Sequence, residues 1–257
     1  MAKKTVWITG ASSGIGREFA RRYARLGFRL VLTARSTQRL EALAAELEKS
    51  SGAECRVLPA DLEQESECVR LCADMDDERV DIFINNAGFG VCGSFVENDP
   101  TAELSMAKVN VLAMHTLMQY AVKKMTAQGF GTVLNVASSA GLLPGGPYMA
   151  GYYASKAYVV SLTRGVAEEL RAAHSPVYVC ALCPGPVDTN FNDRAGVRFA
   201  LPGISPAVCV EEAMLGMRSH KTIIVPTLLM RTISVAQRFT PMPLLMPIVA
   251  HQQKKKL

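Results

Sequence analysis

No run of apolar residues in this 257-residue chain is long enough to cross a bilayer. The uncharged, apolar stretch near the C-terminus, Phe239 to Ala250, falls short of the ~20 residues a spanning helix needs, and it carries three prolines. The apolar part of the opening segment, Met-Ala-Lys-Lys-Thr-Val-Trp-Ile-Thr, is too short for a secretory signal. Histidine is scarce: His115, His174, His220 and His251 stand too far apart to form a ligand set, so no metal site is expected. Seven cysteines, an odd number at irregular spacing, exclude a disulfide framework. Cys180 and Cys183 form a Cys-x-x-Cys pair, but no second pair or nearby histidine completes a zinc site, and both read as small core residues. These absences point to a reduced, cytoplasmic protein with no integral membrane span. Aromatics are only 7%, and the formal net charge of +5 is scattered, with no basic stripe interleaved with aromatics, which argues against nucleic-acid binding. No linker rich in glycine, serine or proline divides the chain and no internal repeat is present, so a single domain is expected.

What is there is 49% hydrophobic and 20% charged, an ordinary globular balance in a chain large enough for one sizeable core. Short apolar runs and longer helical spacings alternate almost throughout. Strands are expected at Thr5–Thr9, Arg29–Thr33, Glu54–Pro59, Asp81–Asn85, Thr132–Ala137, Val177–Leu182 and Thr222–Val225. Helices are expected at Ile15–Leu26, Thr37–Lys49, Glu63–Met75, Ala102–Ala127, Ala154–Arg171 and Pro206–Arg218. Several of the strand runs are continuous rather than alternating, as parallel strands covered on both faces require. The pattern predicts an α/β fold: a Rossmann-like, doubly wound parallel sheet of about seven strands in one domain, spanning 1–226. Residues 227–257 differ. They are rich in Met, Leu and Pro, end in Lys254, Lys255 and Lys256, and read as an extension of the same domain packed over the cleft or against a second subunit. A peripheral contact with lipid through this segment is the sharper alternative.

The most informative local feature is Thr-Val-Trp-Ile-Thr-Gly-Ala-Ser-Ser-Gly-Ile-Gly, a β-rich run feeding a turn with Gly10, Gly14 and Gly16 and then an amphipathic helix. Glycine permits positive φ and close backbone approach. A helix N-terminus adds unpaired N–H groups and a partial positive charge, so the turn is a seat for a pyrophosphate. A second feature is Tyr152-Tyr153-Ala154-Ser155-Lys156. Residues four apart share a helix face, so Lys156 would stand beside Tyr152. An ammonium close to a phenol stabilises the phenolate and lowers a pKa that is normally about 10, making a general acid–base unit.

Taken in order, these motifs resemble the short-chain dehydrogenase/reductase family from about Lys4 to Val225. Thr9–Gly16 resembles its cofactor turn, Asp61-Leu62 its adenine contact and Asn85-Asn86-Ala87-Gly88 its motif at the fourth strand. Asn110 stands where the family keeps an asparagine within a long helix. Ser138, Tyr152 and Lys156 match its catalytic set, and Pro184-Gly185 with Thr189 matches its nicotinamide turn. The resemblance implies that Tyr152 exchanges a proton with the substrate oxygen and that Lys156 tunes Tyr152 and holds the nicotinamide ribose. It implies that a serine stabilises the substrate oxygen and that Asn110 supports a water on a proton path. It also implies cofactor contacts at Gly10, Ser12, Ser13, Gly14, Ile15, Gly16, Arg35, Asp61, Leu62, Asn86, Ala87, Gly88, Tyr152, Lys156, Pro184, Gly185, Val187 and Thr189. Ser138 and Ser139 compete for the serine role: the family's usual interval back from Tyr152 picks Ser139, whereas the frame from Asn135 or Ala140-Gly141 picks Ser138. The loop before Tyr152 absorbs an extra residue more easily than a strand end does, which favours Ser138.

The end of the second strand reads Thr33-Ala34-Arg35-Ser36, with Ala34 where an acid would select a ribose hydroxyl. Arg35, helped by Ser36, Arg39 and Arg17, suits a 2′-phosphate, so NADP(H) is the expected cofactor. By resemblance, the loop near 190–206 walls the substrate site with Phe191, Val197, Phe199, Leu201 and Ile204 among Asn192, Asp193 and Arg194, facing Leu142, Leu143, Met149, Phe89, Val91 and Cys92. That composition suits a bulky apolar carbonyl or alcohol such as a steroid, bile acid or acyl chain. A small acid anchored by Arg194 or Arg198 is the competitor. The family also implies a homodimer or homotetramer paired through the two long helices. A nucleotide-sensing binding protein without turnover is the alternative function.

Overall fold

The computed structural model describes residues 3–189 and 203–254. The chain begins in the middle of its sheet. Strand β1 (Thr5–Thr9) is buried throughout and runs into helix α1 (Gly14–Arg25). Then follow β2 (Arg29–Thr33), α2 (Thr37–Ser51), β3 (Cys55–Val57), α3 (Glu65–Asp74) and β4 (Ile82–Asn85). Helix α2 has well-formed ends: Ser36 accepts from the Arg39 amide, and Gly52 closes it in the left-handed conformation at φ 65°.

The long helix expected over 102–127 is interrupted. Helix α4 (Pro100–Ala107) passes into a π turn (Lys108–Ala113) before α5 (Met114–Gln128) resumes. Strand β5 (Gly131–Val136) leads through a 3₁₀ turn (Ser139–Leu142) to α6 (Ala150–Ala172), which starts four residues ahead of its expected first residue, Ala154. Strand β6 (Val177–Leu182), α7 (Pro206–Arg218) and β7 (Ile223–Ile224) complete the sheet.

All strand pairs are parallel, in the order β3-β2-β1-β4-β5-β6-β7. Alternate residues of each strand face opposite layers. Val6, Ile8, Leu30, Leu32, Leu134 and Leu182 pack with α1, α2 and α7, while Trp7, Val31, Phe83, Val133 and Val179 pack with α3, α5 and α6. This is the doubly wound arrangement the alternation predicts. After β3 the chain crosses back to the other side of β1, so the connections leaving β1 and β4 run to opposite faces of the sheet and open a crevice at the carboxyl ends of these strands.

The C-terminal segment folds as α8 (Leu228–Ala236), a 3₁₀ turn (Gln237–Phe239) and α9 (Met242–Lys254). Leu245 and Val249 of α9 pack with Ala140, Met149 and Tyr153 at the mouth of the crevice, while Leu228, Phe239 and Leu244 stay exposed. Among the described residues, no helix is long and apolar enough to cross a membrane, and no group of three or more His, Cys, Asp or Glu side chains is placed to hold a metal.

Candidate active site

The crevice holds a cavity of about 860 Å³ that runs from the β1–α1 turn to α9. Gly10 and Gly14 take φ values of 63° and 53°, which only glycine adopts without strain. Ser12, Ser13, Gly14 and Ile15 line the cavity. Ser13 precedes α1 in extended conformation without a side-chain capping bond, and no acid stands in the first turn of the helix. The N–H groups there carry an uncompensated partial positive charge toward the cleft. Gly16, expected to touch cofactor, does not line the cavity. A Cβ on it would lie 2.3 Å from the Gly10 carbonyl oxygen, so its part is to let α1 close onto the turn.

Asn86, at the end of β4, staples the turn: its side-chain amide donates to the carbonyls of Thr9 (2.9 Å) and Gly10 (3.2 Å). The Thr9 hydroxyl, which the sequence reading did not single out, accepts from the amides of Asn86 (2.9 Å) and Ala87 (3.1 Å). Thr189 comes from the opposite rim against Gly14, and Pro184, Gly185 and Val187 line the floor beside it.

At the adenine end the wall is Ala34, Arg35, Ser36, Arg39, Asp61 and Leu62. Arg35 donates to Glu63 at 3.2 Å, with about half of its side chain exposed, and the other Glu63 oxygen accepts from Ser105. Arg17 does not join this wall. It turns to Glu46, 3.5 Å away, alongside Arg21, because the α1–α2 packing brings that carboxylate closer.

The residues expected to react lie at the other end. Ser138 follows β5 and caps the 3₁₀ turn by accepting from the Ala140 amide at 3.1 Å. Its hydroxyl also hydrogen-bonds the Tyr152 phenol. The neighbouring Ser139 sends its amide to the Pro184 carbonyl. Lys156, one turn beyond Tyr152, is 5% exposed; its ammonium donates to the Val136 carbonyl at 2.9 Å and lies 5.9 Å from the Tyr152 ring centre.

The expected tuning of Tyr152 by Lys156 is not what the protein groups alone produce. Burial pushes the Tyr152 phenol up to about 12, opposed only by the Ser138 hydrogen bond, and burial pulls Lys156 down to about 8. The ammonium is turned to the β5 carbonyl, and desolvation is the largest cause acting on each group.

Asn110 sits in the π turn, 1% exposed, behind the cleft wall rather than on it. Its oxygen accepts from the Phe89 amide (3.0 Å), and its nitrogen donates to the Phe89 carbonyl (2.8 Å) and the Ser155 hydroxyl (3.1 Å). The asparagine thus locks the loop after β4, whose Ala87 and Gly88 line the cavity, to the helix carrying Tyr152 and Lys156.

Of the expected substrate wall, Phe89, Leu143 and Met149 line the cavity, while Leu142, Val91 and Cys92 do not. Leu142 packs into the α6-side core instead. Ile204 bridges to Val187 and packs into the opposite core, away from the substrate. Phe191, Asn192, Asp193, Arg194, Val197, Arg198, Phe199 and Leu201 lie outside the described residues. The missing wall comes from α8 and α9, through Met230, Ile233, Leu245, Ile248 and Val249. No motif in the sequence marks these residues. Their proline- and methionine-rich composition alone hinted at a covering role.

The donor set fits a dinucleotide. The uncapped α1 turn offers N–H groups to a pyrophosphate, Ala34–Arg35 has no acid directly at the ribose position, and Lys156 stands at the far end.

Comparison with known proteins agrees with this geometry. Residues 4–197 match the family model described as short chain dehydrogenase. A very-long-chain 3-oxoacyl-CoA reductase of Podospora anserina is 36% identical over 178 residues, 65% of this chain and 51% of that protein. The human 17-beta-hydroxysteroid dehydrogenase type 3 is 29% identical over 71% of this chain and 58% of that protein. The chain thus spans little more than half the length of these two relatives. Among solved structures, a short-chain dehydrogenase from Sphingobium yanoikuyae in complex with NADPH is 33% identical with a TM-score of 0.83, covering 92% of this chain and 94% of the other. One from Burkholderia phymatum in complex with NAD is 26% identical with the same TM-score of 0.83, covering 92% and 93%.

Proposed function

The chain belongs to the short chain dehydrogenase family, and from that premise we propose that it is an NADP(H)-dependent oxidoreductase acting on the carbonyl or secondary alcohol of a bulky apolar substrate. The cofactor, once bound, supplies or takes up the hydride. The protein's part is orientation and proton handling. Tyr152 hands its proton to the substrate oxygen, and Ser138 donates a hydrogen bond to the same oxygen, stabilising the charge that grows there. Lys156, mostly cationic at neutral pH with a pKa of about 8, donates one proton to the Val136 carbonyl and would hold the ribose hydroxyls of a bound cofactor with the others. A phenol at about 12 rests protonated at neutrality, the form that donates to a substrate oxygen.

The observation that carries this reading is the Ser138–Tyr152 pair, with Lys156 beneath it, opening onto one cleft with Arg35 and with Ala34 where an acid would otherwise follow β2. The S. yanoikuyae relative bound to NADPH supports the choice of cofactor. The apolar wall from Phe89, Met149, α8 and α9 supports a steroid, bile-acid or acyl substrate. We further take residues 227–257 as part of the same domain and the protein as cytoplasmic. The exposed Leu104, Leu112 and Tyr158 on the long helices support a homodimer or homotetramer, which sedimentation velocity measures.

The deciding experiment compares wild type with Tyr152→Phe in NADPH oxidation against a panel of apolar ketones. The expected result is a loss of about 10²- to 10⁴-fold in kcat with NADPH affinity retained. NADPH binding with no turnover of any ketone would instead establish the nucleotide-sensing alternative.

A further inference from the structure

The wall opposite the glycine turn contains a polar pair that the proton transfer does not use. Gln253 of α9 is 5% exposed and lines the cavity. Its side-chain nitrogen donates to the Tyr153 hydroxyl, across a hundred residues of sequence. Its Oε1 is buried without a hydrogen-bond partner, the one such side-chain atom among the described residues. Tyr153 also lines the cavity, and burial pushes its pKa upward, so it stays a proton donor. Its oxygen accepts from Gln253, and its own proton finds no acceptor among the described residues. Around the pair the surface is apolar: Ala140, Met149, Leu245 and Val249.

A buried amide oxygen without a partner is costly, and an aliphatic side chain in its place would pack without that cost. Packing alone therefore does not account for glutamine here. The pair offers one acceptor, Gln253 Oε1, and one donor, the Tyr153 hydroxyl, which is the complement of an alcohol. The Tyr153 ring centre is 6.5 Å from that of Tyr152, with the rings 75° apart, and both side chains line the same cavity.

We propose that Gln253 and Tyr153 form a second polar subsite that binds a hydroxyl group on the substrate, in the same cavity as the carbonyl that reacts at Tyr152. The substrate class is then a hydroxylated polycyclic ketone, not a plain hydrocarbon ketone. This rests on the reductase reading above and narrows its substrate. Gln253 acts on specificity, and the bond to be made is a hydrogen bond only.

The test uses androstanone and a set of androstanones bearing one added hydroxyl at successive ring positions. Binding to the NADPH complex is measured by titration calorimetry, and turnover by NADPH oxidation. Wild type should bind at least one hydroxylated ketone about 10- to 100-fold more tightly than the parent, the range for satisfying a buried polar group. Gln253→Leu should bring that ratio close to one. Tyr153→Phe, which removes a single oxygen and keeps the ring, should reduce it as well, and it decides the matter if the leucine variant folds poorly. A ratio near one in wild type, a ratio equal in wild type and both variants, or no binding of any of these ketones overturns the proposal. Binding that follows the proposal without turnover of any ketone sinks the reductase reading and leaves the subsite standing.

Discussion

Replacing Lys156 by methionine tests the burial of its ammonium directly. The side chain is 5% exposed, and the groups that face it are the Val136 carbonyl at 2.9 Å, the Tyr152 ring at 5.9 Å and the Cys183 thiol. No carboxylate is among the causes acting on it, so desolvation lowers its pKa from 10.5 to about 8. At ~1.4 kcal/mol per pH unit, that gap corresponds to about 3 kcal/mol. Below pH 8 the lysine is protonated in both folded and unfolded chains, and folding bears the whole cost of burying the charge. Between pH 8 and 10.5 the unfolded chain binds more protons than the folded one, so stability rises with pH. Above that window both are neutral and the cost is gone. Methionine has no charge to bury, so wild type should gain about 3 kcal/mol on Lys156→Met from pH 7 to above pH 10, most of it by pH 10. Urea unfolding of the two proteins at matched pH values gives the difference by linear extrapolation, and common contributions such as tyrosine ionisation cancel. Parallel stability curves for the two proteins would refute the reasoning, since they would mean that the ammonium is solvated in the folded protein.

Two further expectations follow from the cofactor end. Arg35→Ala should weaken NADPH binding by about 10- to 100-fold, the range for a hydrogen bond to a charged group, and leave NADH binding little changed; fluorescence titration with both nucleotides reads the difference, and equal losses would show that Arg35 does not meet the phosphate. Its half-exposed pairing with Glu63 at 3.2 Å is no obstacle, because such pairs contribute little and exchange readily. Gly16→Ala would set a methyl 2.3 Å from the Gly10 carbonyl, so the turn must shift: a stability loss of about 1–3 kcal/mol with weakened binding of both nucleotides is expected, and an unchanged melting temperature would contradict the contact.

Much of the architecture was legible locally. β1, β2, β6 and α7 coincide with their expected bounds, because each is bracketed by local signals such as the Ser205 cap before Pro206. Ser138 was legible from strand register, and its bond to Tyr152 is consistent with that choice. The early start of α6 was not legible. Met149 caps it with no side-chain bond, so the sequence holds no start signal, and tertiary packing of Met149 under Leu245 and Val249 sets the first turn. The π turn at Lys108–Ala113 likewise has no residue signature, yet it belongs to the frame in which Asn110 holds the Phe89 backbone.

The division has one physical root. Periodicity, turn glycines and the spacing of Tyr152 and Lys156 act over a few residues, so the sequence alone determined the doubly wound sheet, the glycine turn after β1 and the shared helix of Tyr152 and Lys156. The pKa order of Tyr152 and Lys156, the retreat of Gly16 and Asn110 behind the wall, and the covering of the cleft by Ile233, Leu245, Val249 and Gln253 depend on burial and on partners as many as a hundred residues away. Desolvation and long-range packing exist only once the layers have closed, and that is why the tertiary structure alone decided them.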